Sequence, residues 1–224
     1  MPTIEQSMRV TAGGAELAAD VQVPDTSLGV VLFAHGSGSS RKSPRNRYVA
    51  AELNGAGLAT VLADLLTPAE ERTDARTGQH RFDIGLLAER VPELTGWLAE
   101  FEPTAGLRVG LFGASTGAAA AIVAAATRRE AVHAVVSRGG RPDLAAEHLH
   151  RVEQPTLLIV GGSDTVVIEL NRGAMRRLAG TARLAIVPGA SHLFSEPGAL
   201  EQVAGLAKDW FVRHLRPTAV EPGG

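Results

Sequence analysis

The run Gly113-Ala114-Ser115-Thr116-Gly117 has the G-x-S-x-G spacing of a serine held for nucleophilic attack. It sits between an apolar stretch, LRVGLF, and an alanine-rich one, AAAAIVAAA. That context predicts a strand, a sharp turn and a helix. In so tight a turn, side chains at the two glycine positions would meet neighbouring backbone. The serine is then held in a strained conformation with its hydroxyl exposed above a sheet. The helix behind it aims N–H groups at any negative charge that develops there. The competing reading is a glycine-rich turn of a nucleotide-binding domain. Gly110, Gly113 and Gly117 do not form G-x-G-x-x-G, and no lysine follows to form a P-loop.

A nucleophilic serine needs a base, and seven histidines are available. His192, in GASHLF, lies past the last apolar strand segment and before the final helix, so it is the expected base. His35 belongs to an HG turn and reads as a turn organiser. His133 lies within a strand, while His80 and His214 read as surface residues. His148 and His150 are two apart and would face different sides of a helix, which makes a poor metal pair. An acid should orient the imidazole. Asp164 follows PTLLIVGG and Asp143 follows VHAVVSRGG, so both stand at strand ends. Both fit the order serine, acid, histidine. Asp164 is preferred because its strand directly precedes the one leading to His192; for either aspartate the alternative is a turn or helix cap. The oxyanion donors expected are the amides of Thr116 and of Ser37 in HGSGSS, with Gly38 in reserve. Arg41, Lys42, Arg45 and Arg47 crowd a helix start marked by Ser43-Pro44. Arg45 and Arg47 are expected to bind an anionic part of the substrate. The plainer alternative is that acidic residues pair with these cations, or that they are solvated.

These residues need a scaffold that collects strand ends. Residues 8–11 and 17–23 read as a hairpin around Gly13-Gly14. Buried strands are expected at 29–34 and 58–62, further strands at 107–112, 132–136, 155–160 and 183–187, and helices at 43–53, 81–101, 117–127, 170–178 and 200–215. Residues 67–78 read as a polar, irregular, mobile loop, and 217–224 as a frayed tail after a single domain over 1–216. Strands alternating with helices imply a mostly parallel sheet covered on both faces, with ligands at the carboxyl ends of its strands.

Composition narrows the function classes. The chain has 224 residues, 45% hydrophobic and 21% charged, with a formal charge of −2. Such a balance suits one folded domain and offers no electrostatic footprint for nucleic acid or membrane. With no cysteine, disulfides, thiolate catalysis and cysteine metal sites are excluded. MPTIEQSMRV carries no basic-then-apolar leader, and no apolar run has transmembrane length, so a cytoplasmic location is the default expectation.

Together, HGSGSS, GASTG, the aspartate of GGSDTVV and the histidine of GASHLF resemble the α/β-hydrolase superfamily. More closely, they are similar to its dienelactone-hydrolase-like branch of small single-domain hydrolases. The run FAHGSGSSRKSPRN also resembles hydrolase domains found fused to phosphoribosyltransferases, although no phosphoribosyltransferase segment is visible in this sequence. The resemblance spans residues 28–215. It implies an α/β-hydrolase fold with a mostly parallel eight-stranded sheet flanked by helices. It also implies a Ser115–Asp164–His192 triad, no cofactor and no metal. Dienelactone hydrolase itself uses a cysteine nucleophile. Its absence here argues against a dienelactone substrate and leaves hydrolysis of a small ester or lactone. The short run between Gly140 and Pro155, where many relatives insert a lid, implies an open site. A non-catalytic protein of the same fold, serving in binding or regulation, is the alternative reading; the three aligned side chains argue against it.

Overall fold

The computed structural model describes residues 4–80 and 83–217. In chain order the elements are β1 (Ile4–Ala12), β2 (Ala15–Val23), β3 (Val30–Ala34), α1 (Pro44–Gly55), β4 (Ala59–Ala63), α2 (Pro68–Thr77) and α3 (Ile84–Glu100). They continue with β5 (Val109–Ala114), α4 (Gly117–Thr127), β6 (Val132–Arg138), β7 (Thr156–Gly161), α5 (Thr165–Met175), β8 (Ala182–Val187) and α6 (Ala199–Leu215). One eight-stranded sheet runs in the order β1-β2-β4-β3-β5-β6-β7-β8. β1 and β2 pair antiparallel, β2 joins β4 antiparallel, and every pairing from β4 to β8 is parallel. The β1–β2 turn is Gly13-Gly14, both at positive φ (57° and 67°), the backbone that tight hairpins favour and glycine tolerates.

The central strands read as unbroken apolar runs because both faces of the sheet are covered. The side chains nevertheless alternate. Val30, Leu32 and Ala34 of β3 face a core shared with β1, β2, α3 and α4. Val31 and Phe33 face the other core, shared with α1 and α6. Across the β3–β5 pair, Phe33 and Phe112 bring their ring centroids to 4.8 Å. α4 is buried along almost its whole length, which its alanines allow because they let helix and sheet approach closely. Leu87, Val91, Leu94 and Leu98 form the buried stripe of α3. The first two residues expected in that helix, 81 and 82, lie outside the described residues, as does the expected tail beyond Pro217.

Two expectations need correction. The segment anticipated as an irregular loop at 67–78 is the helix α2, closed by a complete capping box. Thr67 accepts from the Glu70 amide, Glu70 accepts from the Thr67 amide, Pro68 occupies the first turn, and Gly78 ends it at φ 69°. The helix was overlooked because it has no apolar stripe: of its residues only Asp74 is buried. α5 starts earlier than 170, directly at Thr165, so the aspartate before it stands at the helix start. Between β6 and β7 the chain makes only two short 3-10 turns, Pro142–Ala145 and Leu149–Arg151, and no lid. No helix among the described residues is long and apolar enough to cross a membrane.

Candidate active site

β3 and β5 are neighbours although α1, β4, α2 and α3 intervene in the chain. The chain leaves β3 to build β4 on one side and returns to build β5 on the other. At such a reversal the loops after the two strands part and leave a crevice at their carboxyl ends. The HGSGSS loop after β3 and the GASTG turn after β5 both open there.

Ser115 has φ 50°, in the left-handed region that non-glycine residues rarely occupy. Its backbone is pinned on both sides. Its N–H donates to Arg138 O at 3.2 Å, and its own carbonyl accepts from Ala118 N at 3.1 Å and Arg141 N at 3.0 Å. The glycines answer to sterics. A Cβ on Gly117 would lie 2.1 Å from Ala34 O, and one on Gly113 would lie 2.4 Å from the Ala118 Cα. The first contact is between α4 and β3, so Gly117 sets how near α4 comes to the sheet.

Asp164 stands at the helix-cap position of α5 yet makes no side-chain cap bond there. Its Oδ2 lies 2.7 Å from His192 Nδ1 instead. Asp143, the alternative acid, is held by Arg141, whose Nε and Nη2 donate to its two oxygens at 2.8–3.1 Å. Ser115, His192, Ser37, Ser39, Arg45 and Arg138 line one cleft of about 200 Å³. A larger groove of about 350 Å³ crosses β2, β4 and α1 and contains neither Ser115 nor His192.

The other histidines have separate situations. His35 is buried; its Nε2 accepts from Leu65 N at 2.8 Å, so Nδ1 carries the proton and donates to Gly36 O at 3.0 Å. Burial lowers its pKa and keeps it neutral, as suits a residue that organises a turn. His133 contacts Ala131 O. His80 and His214 are half-buried rather than surface residues, and the His214 ring lies 4.5 Å from that of Trp210. Among the described residues no cluster of His, Cys, Asp or Glu could hold a metal ion.

The expected oxyanion donors lie side by side, but one is engaged. Ser37 N donates to Thr116 Oγ1 at 3.0 Å, and the two hydroxyls are 2.9 Å apart. The basic segment divides. Arg41 is ion-paired with Asp64 and, at 3.2 Å, with Asp20, while Lys42 Nζ reaches Asp20 at 3.1 Å. Arg45 reaches the cleft. Arg47 does not, and its expected place beside Arg45 is wrong: residues two apart on a helix face different sides, and Arg47 lines the larger groove. Arg138 was missed. It ends β6, is 7% exposed, donates to Asn46 Oδ1 at 3.2 Å, and holds its guanidinium 5.9 Å from the Phe194 ring. The strand-end rule applied to VVSRGG would have found it.

The sequence pattern of the Dienelactone hydrolase family matches residues 15–215. The chain belongs to the dienelactone hydrolase family. The dienelactone hydrolase of Anabaena variabilis is 57% identical, with a TM-score of 0.93 over 96% of this chain and 99% of that one. Est1E from Butyrivibrio proteoclasticus, at 15% identity, shares the fold with a TM-score of 0.77 over 92% of this chain and 98% of its own. Proteins from two Mycobacterium tuberculosis strains, each named a phosphoribosyl transferase, are 59% identical over 214 residues. That alignment covers 96% of this chain and 47% of theirs, so the chain spans about half the length of the curated relatives it matches. This dienelactone hydrolase family member carries the eight-stranded, lidless fold that its sequence implied.

Proposed function

We propose that this domain is a serine hydrolase that cleaves a small carboxylic ester or lactone through an acyl-enzyme. The observation that carries the reading is the 2.7 Å contact of His192 Nδ1 with Asp164, in a cleft lined by His192 and the strained Ser115. With Nδ1–H donated to the carboxylate, the other ring nitrogen is free to accept the Ser115 proton. Ser115 Oγ then attacks the carbonyl carbon. The tetrahedral oxyanion takes the Thr116 amide and the Ser37 amide, which exchanges the Thr116 hydroxyl for the stronger, charged acceptor. His192 hands its proton to the leaving alkoxide, which leaves an ester on Ser115. Water, deprotonated by the same histidine, attacks that ester; the histidine returns the proton to Ser115 as the carboxylic acid departs, and the acid ionises in solvent. No step requires a cofactor. The small cleft and the absence of a lid favour short or polar esters. The transferase in the names of the mycobacterial relatives is said of proteins of which this chain matches 47%, and the hydrolase reading is made for this chain alone.

The test uses a fluorophosphonate label and short p-nitrophenyl esters. Covalent labelling that maps to Ser115, with turnover of the esters, is expected. Ser115→Ala should lose both, with kcat falling by about a thousandfold or more while the fold persists. Activity within about tenfold of the parent would remove Ser115 from this role.

A further inference from the structure

Arg138 and Arg45 stand in the same cleft as Ser115, and among the described residues neither has an acidic partner. Arg138 is 7% exposed, and its polar contact is the neutral Asn46 side chain. The Nε atoms of both arginines are buried without a hydrogen-bond partner, as is that of Arg90, so the contrast lies in the terminal nitrogens and in the missing carboxylate. Arg90 is an internal control. It is equally buried, at 2% exposed, but donates to both carboxylate oxygens of Glu70 at 2.8 Å and to Leu65 O at 2.6 Å. Arg41, Lys42 and Arg141 likewise have carboxylates. A buried guanidinium without an anion is costly, and a second guanidinium beside it adds repulsion. Arg45 also sits in the first turn of α1, where the helix end is already positive. Three sources of positive potential therefore converge on one wall of the cleft.

We infer that this wall is a phosphate subsite, and that the ester cleaved at Ser115 carries a phosphate group held by Arg45 and Arg138. Charge and shape favour phosphate over carboxylate. A carboxylate has one charge and two coplanar oxygens, which a single guanidinium fork satisfies. Two uncompensated guanidiniums match a phosphate monoester, which carries a charge of about −1.5 to −2 at neutral pH and presents three acceptor oxygens. Burial and the neighbouring Arg45 push the Arg138 pKa down to about 10, a shift that a bound dianion would reverse. The cleft, at about 200 Å³, holds phosphate and scissile carbonyl only if a few bonds separate them.

The inference rests on the hydrolase reading for the chemistry but not for the binding, and the experiment separates the two. Rates of hydrolysis are compared for p-nitrophenyl esters of butanoate, butanedioate and 3-phosphooxypropanoate. The expected order of kcat/KM is phosphate, then carboxylate, then neutral, with about tenfold or more between the extremes, the effect of one added charge-assisted contact. In Arg138→Met and, independently, in Arg45→Met, the phosphate-to-neutral ratio should collapse to within about threefold. Inorganic phosphate should compete with the neutral ester in the parent and bind Ser115→Ala in calorimetry. Equal rates on all three esters, a carboxylate ester that matches the phosphate ester, or a ratio that survives both substitutions overturns the subsite. If esters are turned over and Ser115 is labelled without any phosphate preference, the subsite falls and the hydrolase stands. If Ser115 is neither labelled nor active, yet phosphate binds and the Arg138→Met protein loses it, the hydrolase reading falls and the subsite stands.

Discussion

Asp164 occupies the position from which an aspartate usually caps a helix, and it turns to His192 instead. Asp143 does the reverse: it follows a strand end, where an acid would be useful, and is consumed by Arg141. Asp164→Asn should therefore lower kcat by about a hundredfold to ten-thousandfold, because the imidazole loses the group that fixes its tautomer. Asp143→Asn should change it little, and steady-state kinetics on one ester decides between them. Strand order alone pointed to Asp164, because chain order in this architecture maps onto position in the sheet. The G-x-S-x-G spacing between an apolar strand and a helix pointed to Ser115, and a position past the last strand and before the last helix pointed to His192. Arg138 stands at a strand end that the strand-end rule covers, but what distinguishes it was not legible. Its interest lies in burial without a partner, which depends on residues distant in sequence such as Asn46 and Phe194. Arg47 misled because a cluster of like charges in sequence becomes, on a helix, two faces.

At the scale of elements, the buried strands announced themselves by continuous apolar runs and the hairpin by its two glycines. α2 did not, because its stability comes from its cap and from one ion pair rather than from an apolar face. Glu70 serves both: its carboxylate closes the capping box and receives Arg90 from α3. The Arg90 guanidinium, with the Thr67 hydrogen bonds, holds the Glu70 carboxyl down at about 2. A carboxyl whose folded pKa lies below its unfolded one adds stability above the unfolded value and loses it as pH falls toward the folded value. The contribution should thus be full above about pH 5 and fade toward about pH 2, with an upper bound of about 3 kcal/mol. Glu70→Gln is expected to lower the urea midpoint at pH 7 and to flatten the decline in stability between pH 5 and pH 2. A variant with the parental acid profile would show that the pair contributes nothing. Arg90 also packs under the β1–β2 turn, where Glu93 accepts from Gly13 N at 2.7 Å, so the hairpin edge shares this anchor.

Across the whole molecule, the cleft is maintained at the expense of stability. Holding Arg138 charged with a pKa near 10 against an ordinary 12.5 disfavours the folded state by about 3 kcal/mol at every pH below about 10, neutral pH included. Arg138→Met keeps an unbranched apolar stem and removes the charge that lies over the Phe194 ring. It is expected to raise the midpoint of denaturant unfolding at pH 7, the unfolding free energy growing by about 1–3 kcal/mol. A lowered midpoint would mean that the guanidinium is worth more as a hydrogen-bond donor to Asn46 than it costs as a charge. The fold class was legible as a whole because an alternating pattern of strands and helices permits few architectures. The crevice between the β3 and β5 loops followed from that class, while its charge did not. The distance along the chain between those two loops has a kinetic meaning as well. Ser37 and Thr116 touch across 79 positions, with an entire helix–strand–helix–helix excursion between them. Closing so long a loop is an entropic cost met before the contacts it brings repay it, and folding slows accordingly. Helices such as α4 can form from local contacts early. The crevice exists only once β5 has docked on β3, so during refolding the return of activity belongs to the last phase rather than to the first.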